Sequence, residues 1–280
     1  MNRSYRIMGL VAVIAACSDI GGKSTAAKTP PLAFVRYFNA VADTLPLDFR
    51  PIDQVEFSTP FLAVPFRAIG LGNYQGYQAG TRRIRVFPNS LDLATTSSII
   101  ADTSIALAAG TYYTFVHTGY TRAGATPKAG LTVMTDVFPT PGPANIALRV
   151  WNVGADLGAV DVYATTAAAD PLPAAPTFAN VSFKAATAYI NLPPGALVLR
   201  VFAAGTTSPA LITATADAGT AGTPTSNPIA GSKQGASVLT AMIYSKAVAG
   251  SKAEIKTGTG VNTAPSLVFW IDRSPPNTAP

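Results

Sequence analysis

Residues 149–163 read RVWNVGADLGAVDVY, and residues 36–50 read RYFNAVADTLPLDFR. Laid over each other at a constant offset of 113 residues, the two stretches align an arginine, an aromatic residue, an asparagine and two aspartates. The aligned pairs are Arg36 with Arg149, Phe38 with Trp151, Asn39 with Asn152, Asp43 with Asp156, and Asp48 with Asp161. Fifteen residues in register without a gap predict a tandem repeat, with each stretch opening one copy.

The match continues beyond these stretches, with an offset that grows along the chain. The further aligned segments are Phe61–Arg67 with Phe178–Lys184 at an offset of 117, Ile84–Phe87 with Leu199–Phe202 at 115, Tyr112–Gly119 with Ser237–Tyr244 at 125, and Leu131–Asp136 with Leu267–Asp272 at 136. The second copy therefore has the longer loops, Asp217–Ser237 and Ala247–Pro265. Both are rich in Gly, Ser, Thr and Pro, so we expect them to be mobile and to hold any function specific to this copy.

The composition is typical of an extracytoplasmic β protein. Hydrophobic residues make up 48% of the 280 residues and charged residues only 12%. The chain has 23 glycines and 23 prolines, enough to separate many short strands. Short alternating or β-branched runs lie between these turns, as in Arg83–Phe87 and Thr111–Thr118. The sequence therefore predicts an all-β fold of two tandem immunoglobulin-like antiparallel β-sandwich domains that follow an N-terminal lipoprotein signal.

The domain boundaries follow from the repeat and from proline-rich punctuation. The first sandwich is predicted over residues 32–138, and the second over residues 145–273. Residues 139–144 read PTPGPA, which predicts a stiff linker. Residues 274–280 are expected to be a disordered tail.

Residues 1–17 carry the clearest targeting signal. Arg3 and Arg6 precede the apolar run Ile7–Ala16, and small residues then lead to Cys17. This arrangement resembles the bacterial lipoprotein signal, in which the cysteine receives the lipid. The alternatives are an ordinary secretory signal and a buried N-terminal strand. Residues 18–31 are small and polar and predict a flexible tether. We therefore expect a membrane-anchored lipoprotein of the bacterial cell envelope, either periplasmic or surface-exposed.

The positive charge does not indicate a nucleic-acid partner. The formal net charge is +6, and removing Arg3 and Arg6 with the signal leaves 18 basic against 14 acidic residues, or +4. The densest basic cluster is Arg82, Arg83 and Arg85, and alternation in a strand sends its members to both faces. A nucleic-acid interface needs broader clustering, so we predict none.

The opening stretches carry a family resemblance. An arginine-containing strand, an asparagine, a turn with an aspartate, and then Val160-Asp161-Val162-Tyr163 resemble the DUF4397 domain, which occurs in bacterial secreted and surface proteins, often in tandem. The resemblance implies the fold and the location, but no activity. The family often has histidine where this chain has Asn39 and Asn152, so a role that needs an imidazole is not expected there.

Catalytic groups are scarce in the sequence. His117 is the only histidine and lies in the most β-prone segment, which predicts a structural strand residue. A Ser-His-Asp device would need a nucleophile beside it, and no G-x-S-x-G motif occurs. One histidine and one cysteine also cannot build a usual zinc site, so neither a cofactor nor a metal is predicted.

The repeated polar residues are interpreted as turn devices. Asn39, Asp43 and Asp48, with Asn152, Asp156 and Asp161, follow strand exits, where Asx side chains accept hydrogen bonds from backbone N–H groups. Ca²⁺ ligation is the open alternative, although it needs six or more oxygen ligands. Glycosidase-type carboxylate pairs are a weaker one, because an active site is rarely duplicated so evenly.

These observations favour a non-enzymatic envelope lipoprotein that acts as a scaffold, adhesion or interaction module. Its expected partners are the membrane, through the lipid on Cys17, and an envelope protein or a glycan. The alternative is a carbohydrate-binding module, which requires a row of exposed tyrosines on one face, and an envelope hydrolase is a third. The candidate tyrosines are Tyr74, Tyr77, Tyr112, Tyr113 and Tyr120.

Overall fold

The computed structural model describes residues 29–70, 72–254 and 262–278. The predicted signal with Cys17, and the predicted tether up to residue 28, lie outside the described residues. Residues 31–280 form one compact unit that includes both halves of the repeat. In the part of the chain that is described, no helix has the length and apolar character needed to cross a bilayer.

The first half folds into two sheets that face each other. Its described strands are β1 (Leu32–Val41), β2 (Leu47–Pro51), β3 (Phe61–Val64), β4 (Ala68–Ile69), β5 (Gln75–Gln78), β6 (Gly80–Pro88), β7 (Ala101–Leu107), β8 (Tyr112–Gly119) and β9 (Gly130–Asp136). One sheet has the order β4-β1-β8-β9, with β5 also paired to β1, and the other has the order β3-β2-β6-β7. A short helix, α1 (Leu93–Thr96), lies between β6 and β7.

The second half repeats this arrangement. Its described strands are β10 (Ile146–Asn152), β11 (Val160–Thr165), β12 (Phe178–Val181), β13 (Ile190–Leu192), β14 (Val198–Ala203), β15 (Ile212–Thr215), β16 (Val238–Tyr244) and β17 (Ser266–Arg273). The sheet orders are β13-β10-β16-β17 and β12-β11-β14-β15. The β1–β8 and β10–β16 pairs are parallel, and every other pair named here is antiparallel.

Each pair of sheets encloses its own apolar core, which confirms the β-sandwich prediction. In the first sandwich, buried residues from β1 and β8, such as Val35 and Phe115, pack on Phe49 and Val86 from β2 and β6. The alternation predicted for β6 is present, because Ile84 and Val86 are buried while Arg83 is exposed. The core of the second sandwich is built in the same way from β10, β11, β14 and β16.

The strand pairings agree with four of the five offsets that align the two halves. Phe61 and Phe178 occupy equivalent positions, since they pair with Phe49 and Val162 on the equivalent strands β2 and β11. The offset of 125 for β8 and β16 is wrong by one residue. Phe34 pairs with Tyr112, whereas the equivalent Ala147 pairs with Val238, so the structural offset is 126.

This slip has a physical cause. All seven residues of β16 and seven of the eight residues of β8 are buried, because both faces of these strands are covered. A strand that is apolar on both faces has no alternating pattern to set its register, and a shift by one residue exchanges the two faces. As a consequence, His117 is equivalent to Ile243 rather than to Met242.

A third apolar cluster lies between the two sandwiches. It joins the outer face of the β1–β8 sheet to the outer face of the β10–β16 sheet. Its largest fully or nearly buried members are Phe38, Phe66, Trp151 and Tyr244, and the ring of Trp270 meets that of Phe38 edge-on at 5.0 Å between centroids. The two sandwiches therefore pack as one body, with four sheets in layers.

Candidate functional site

The two repeated asparagines hold equivalent bends in the chain. The Oδ1 atom of Asn39 accepts from the Val41 N–H at 3.0 Å, and its Nδ2 atom donates to the Val64 carbonyl at 2.9 Å. Asn152 does the same with the Gly154 N–H at 3.1 Å and the Val181 carbonyl at 3.0 Å. Both side chains are fully buried, so these amides satisfy backbone groups that water cannot reach.

Asp48 and Asp161 each support a bulge in the neighbouring strand. Asp48 accepts from the Ala63 N–H at 2.8 Å, and Asp161 accepts from the Asn180 N–H at 2.7 Å. Ala63 and Asn180 both have a φ of 51°, in the left-handed region that L residues adopt rarely. The carboxylate therefore holds the strained backbone in place, and the two copies do so in the same way.

Asp43 and Asp156 do not share a role. The Asp43 carboxylate accepts from the backbone N–H groups of Thr121 and Arg122 and from the Thr121 hydroxyl, which anchors the β8–β9 connection. Asp156 is exposed. Asp43 and Asp48 thus belong to separate hydrogen-bond networks, and no group of three His, Cys, Asp or Glu residues that could hold a metal ion occurs among the described residues.

A buried polar network joins the two sandwiches. The Nη2 atom of Arg36 donates to Oδ1 of Asp272, in the other sandwich, at 2.7 Å, and its Nε atom donates to the Thr114 hydroxyl at 2.7 Å. Thr114 in turn donates to Oδ2 of Asp136, as does the Tyr74 hydroxyl at 2.9 Å. The side chains of Arg36 and Asp272 are 1% and 0% exposed, so this ion pair is shielded from water.

The second half makes the equivalent set of contacts, with the roles of the two halves exchanged. Arg149 donates to Asp136 at 2.7 Å and to the Thr240 hydroxyl at 2.8 Å. Thr240 and Tyr189 both donate to Asp272, the tyrosine at 2.9 Å. The guanidinium carbons of Arg36 and Arg149 lie 4.7 Å and 4.6 Å from the ring centroids of Tyr74 and Tyr189. We call these eight residues the inter-sandwich network: Arg36, Tyr74, Thr114, Asp136, Arg149, Tyr189, Thr240 and Asp272.

The network is electrostatically balanced. Two arginines face two aspartates, and each arginine pairs with the aspartate that the other sandwich contributes. Burial alone would lower the pKa of Arg36, but Asp272, Tyr74 and Asp136 together raise that pKa above its ordinary value. Burial also raises the pKa of the Tyr74 and Tyr189 hydroxyls, which therefore remain protonated donors. The interface is isologous in the sense of a two-fold dimer, although one chain provides both halves.

The sequence contained a signal for this network that its interpretation missed. Arg36 and Arg149 align in the opening stretches, and Asp136 and Asp272 align at the last matched strand. An arginine repeated in an otherwise apolar strand is costly to bury without a partner, so it indicates a buried ion pair. The pairing across the repeats could not be read, because it depends on how the two sheets pack.

Two further cations contact the opposite sandwich. Arg67 donates to the Ser245 and Ala264 carbonyls, and burial lowers the pKa of its guanidinium to about 10. Its equivalent, Lys184, lies against Gly130, because a Cβ atom added there would be 3.7 Å from the lysine Nζ. Both residues have a positive φ, 63° and 69°. Ser245 lies just before Ala247–Pro265, the second of the two long loops of the second half, and Ala264 lies near its end, so the first sandwich holds this loop at its base.

That loop, Ala247–Pro265, was expected to be mobile, but its described part is integrated into the interface. The Val248 N–H donates to the Ala42 carbonyl at 2.8 Å, and Ala253 is 3% exposed. The other long loop, Asp217–Ser237, contains the buried residues Ala230 and Ser232.

His117 is buried without a hydrogen-bond partner. Its side chain is in the β8 strand at 0% exposure, and neither ring nitrogen contacts a donor or acceptor among the described residues. Burial, followed by the positive charge of Lys184, lowers the pKa of His117 to about 4. A neutral imidazole with no nucleophile in reach is poorly suited to act as a general base.

The alternative of a carbohydrate-binding module required a row of exposed tyrosines, and the structure contradicts that requirement. Tyr77 is 0% and Tyr113 is 7% exposed, and both belong to the core of the first sandwich. Tyr74 and Tyr112 pack edge-on against each other at 5.0 Å between ring centroids, and Tyr74 serves the inter-sandwich network. Alternation along β5 and β8 turns the rings to different faces, so no flat platform forms from these five tyrosines.

The fold and this interface define a class: an all-β protein of two sandwiches joined face to face through a buried ionic network. Within the chain, residues 33–163 match the family model described as Domain of unknown function (DUF4397). The match starts in β1 and ends within β11, so it covers the first sandwich, the first strand of the second and part of the next strand. It confirms the DUF4397 resemblance over those residues. The tandem and lipoprotein assignments remain predictions.

Other comparisons add little. A crystal structure of a candidate cell adhesion protein from Bacteroides fragilis matches with 11% sequence identity, covering 85% of this chain and 86% of that one, at a TM-score of 0.21. We draw no inference from that similarity. No curated protein matches the chain.

Proposed function

We propose that this chain is a non-enzymatic protein of the bacterial cell envelope that acts as a surface scaffold, adhesion or interaction module. The observation that carries the proposal is the inter-sandwich network. Four buried charges and four further polar side chains hold two sandwiches together as one rigid body. Such a body presents its loops and sheet edges at fixed positions, which reduces the entropy lost on binding a partner.

The contacts and burial of the acidic side chains and of His117 support this proposal over a hydrolase. The carboxylates of Asp43, Asp48 and Asp161 accept backbone N–H groups and hold turns or bulges in place. His117 is buried and neutral, and neither of its ring nitrogens forms a hydrogen bond with a hydroxyl among the described residues. These groups contribute to folding and stability.

We also propose that the second half is a second copy of the DUF4397-type domain. The same strand pairings, the same bulge opposite β2 and β11, and the same positive-φ residues support it. The reciprocal interface then follows from duplication, because two copies of one surface pack naturally about a two-fold axis.

The anchor and the interaction role are tested separately. Replacing Cys17 with Ser should move the protein from the membrane fraction to the soluble fraction of the cell envelope, and continued membrane retention would refute lipid anchoring.

For the interaction role, residues 31–280 would be immobilised and incubated with detergent-solubilised envelope proteins and with purified envelope glycans. Specific capture that free protein competes away is the expected result. A hydrolytic activity on envelope peptides or glycans that His117→Ile abolishes would instead establish an enzyme.

A further inference from the structure

A groove of about 630 Å³ lies at the end of the second sandwich where β10 begins and β17 ends. This volume falls within the range of small-molecule sites. The groove is lined by the linker with Pro141 and Pro143, by the long loop with Ala221 and Pro228, and by the C-terminal segment with Pro275 and Pro276.

The groove is specific to the second half. The connection between β15 and β16 spans residues 216–237, whereas the equivalent connection between β7 and β8 spans only residues 108–111. The linker, the end of β17 and the C-terminal segment supply the other residues that line the groove. The added loop therefore supplies part of the groove that has no counterpart in the first sandwich.

The walls are held in place by backbone contacts. The Ala236 N–H donates to the Asn145 carbonyl at 2.7 Å, which joins the long loop to the linker side. At Gly235 the loop comes so close to the linker that an added Cβ atom would be 1.8 Å from the Pro143 carbonyl oxygen. The Asn277 side chain donates to the Thr223 and Ser226 carbonyls, so residues 274–278, expected to be a disordered tail, lie against the loop. The groove is formed before any ligand arrives.

One charged side chain lines this groove. Arg273 is exposed, its Nη1 atom lies 3.3 Å from the Thr140 hydroxyl, and it forms no ion pair with any described residue. A register shift between β16 and β17 pairs Val238 with Arg273 and Leu239 with Ile271. The extra residue, Asp272, is buried in the inter-sandwich network, and Arg273 remains at the groove. Bulges commonly redirect a side chain in this way.

The chemistry of the walls favours an acyl chain over a peptide. Six of the lining residues are proline, and proline has no N–H to donate. An extended peptide that lies along these prolines would lose water from its carbonyl groups and gain no N–H donor from them, which costs free energy. An acyl chain has no such groups, and a carboxylate at its end would pair with Arg273.

We propose that this groove binds a single-chain amphiphile with a carboxylate head, and that Arg273 holds the head while the proline walls enclose the chain. The proposal does not depend on the scaffold role. A groove that binds nothing would leave envelope-protein capture unaffected, and the two ideas can fail independently.

The test titrates the full chain with dodecanoate and with dodecan-1-ol, both below micelle-forming concentrations, and follows backbone amide signals by NMR. Saturable shifts at Gly142, Ala221 and Ala236 are expected for both ligands, with tighter binding of dodecanoate. Arg273→Gln should weaken dodecanoate binding about two- to fivefold, as expected for a solvent-accessible ion pair, and leave dodecan-1-ol binding unchanged.

Two variants serve as controls. Arg122→Gln changes another exposed arginine outside the groove and should alter neither affinity. Gly142→Leu should abolish binding of both ligands, because a Cβ atom at Gly142 meets nothing within 4 Å and the larger side chain can occupy the groove without distorting the backbone. Unchanged circular dichroism would show that each variant is folded.

The proposal would be overturned by the absence of saturable shifts at the groove, by an equal effect of Arg273→Gln on both ligands, or by unchanged binding in Gly142→Leu. A peptide of similar length with a free carboxylate that binds more tightly than dodecanoate would also overturn it, by showing that the groove recognises peptides.

Discussion

The inter-sandwich network makes a quantitative prediction about stability. Replacing Asp272 with Asn keeps the side-chain volume but removes the negative charge that Arg36 contacts at 2.7 Å. Both side chains are almost completely buried, so the guanidinium would be left charged and poorly compensated. Breaking a buried ion pair from one side costs about 3–5 kcal/mol. We expect a loss near the lower end, about 3 kcal/mol, because Asp136 lies 3.8 Å from the same guanidinium.

The reciprocal geometry extends this expectation. Asp136→Asn should destabilise the protein by a similar amount, because Arg149 contacts Asp136 at the same 2.7 Å. For a unit of this size, a loss of about 3 kcal/mol corresponds to a fall in Tm of roughly 6–12 °C. In the double variant Arg36→Met with Asp272→Asn, both charges are absent. The combined loss should therefore be about 2 kcal/mol smaller than the sum of the single losses.

The assay is urea unfolding followed by tryptophan fluorescence. Trp151 and Trp270 both lie in the cluster between the sandwiches, so their emission reports on the separation of the two sandwiches. The matched control is Asp102→Asn, which breaks the solvent-exposed pair with Arg83 and should change stability little. A loss below about 1 kcal/mol in Asp272→Asn, or one no larger than in Asp102→Asn, would refute the structural importance of the network.

Two further predictions concern buried polar side chains in the first sandwich. The pKa of His117 is about 4 in the folded protein and 6.5 in the unfolded chain. Because the unfolded chain binds the proton more readily, the free energy of unfolding should fall as the pH drops from about 6.5 towards 4. Between pH 7 and pH 5, this group should lower the free energy of unfolding by about 2 kcal/mol. The variant His117→Ile carries the residue of the equivalent position, Ile243, and should not show this loss in urea titrations at the two pH values. Asn39→Ala should cost about 2 kcal/mol of stability, because it leaves the Val41 N–H and the Val64 carbonyl without partners. The control Asn89→Ala removes a less critical contact to Asp48 and should cost less by the same measurement. Equal losses would contradict the role assigned to Asn39.

Most of the fold was accessible from the sequence because its information is local. Alternation in Arg83–Phe87 reflects one buried and one open face, and glycine and proline mark the turns between such strands. The Asx interpretation of Asn39 and Asn152 was also local, since each accepts from an N–H two residues further on. Equal spacing in the two repeats did not predict the different roles of Asp43 and Asp156, because the hydrogen-bond partner of Asp43 lies in a connection 78 residues away.

The sequence by itself determined the all-β character, the repeated opening stretch and the positions of the buried asparagines, because each depends on a few neighbouring residues. Only the tertiary structure decided that Arg36 pairs with Asp272, 236 residues along the chain, and that Arg273 lies in a groove. The register of β16 also needed it, because a strand buried on both faces has no alternating pattern. Contacts between distant strands depend on which sheet faces pack together, and that is decided by burial of the whole surface rather than by any one segment.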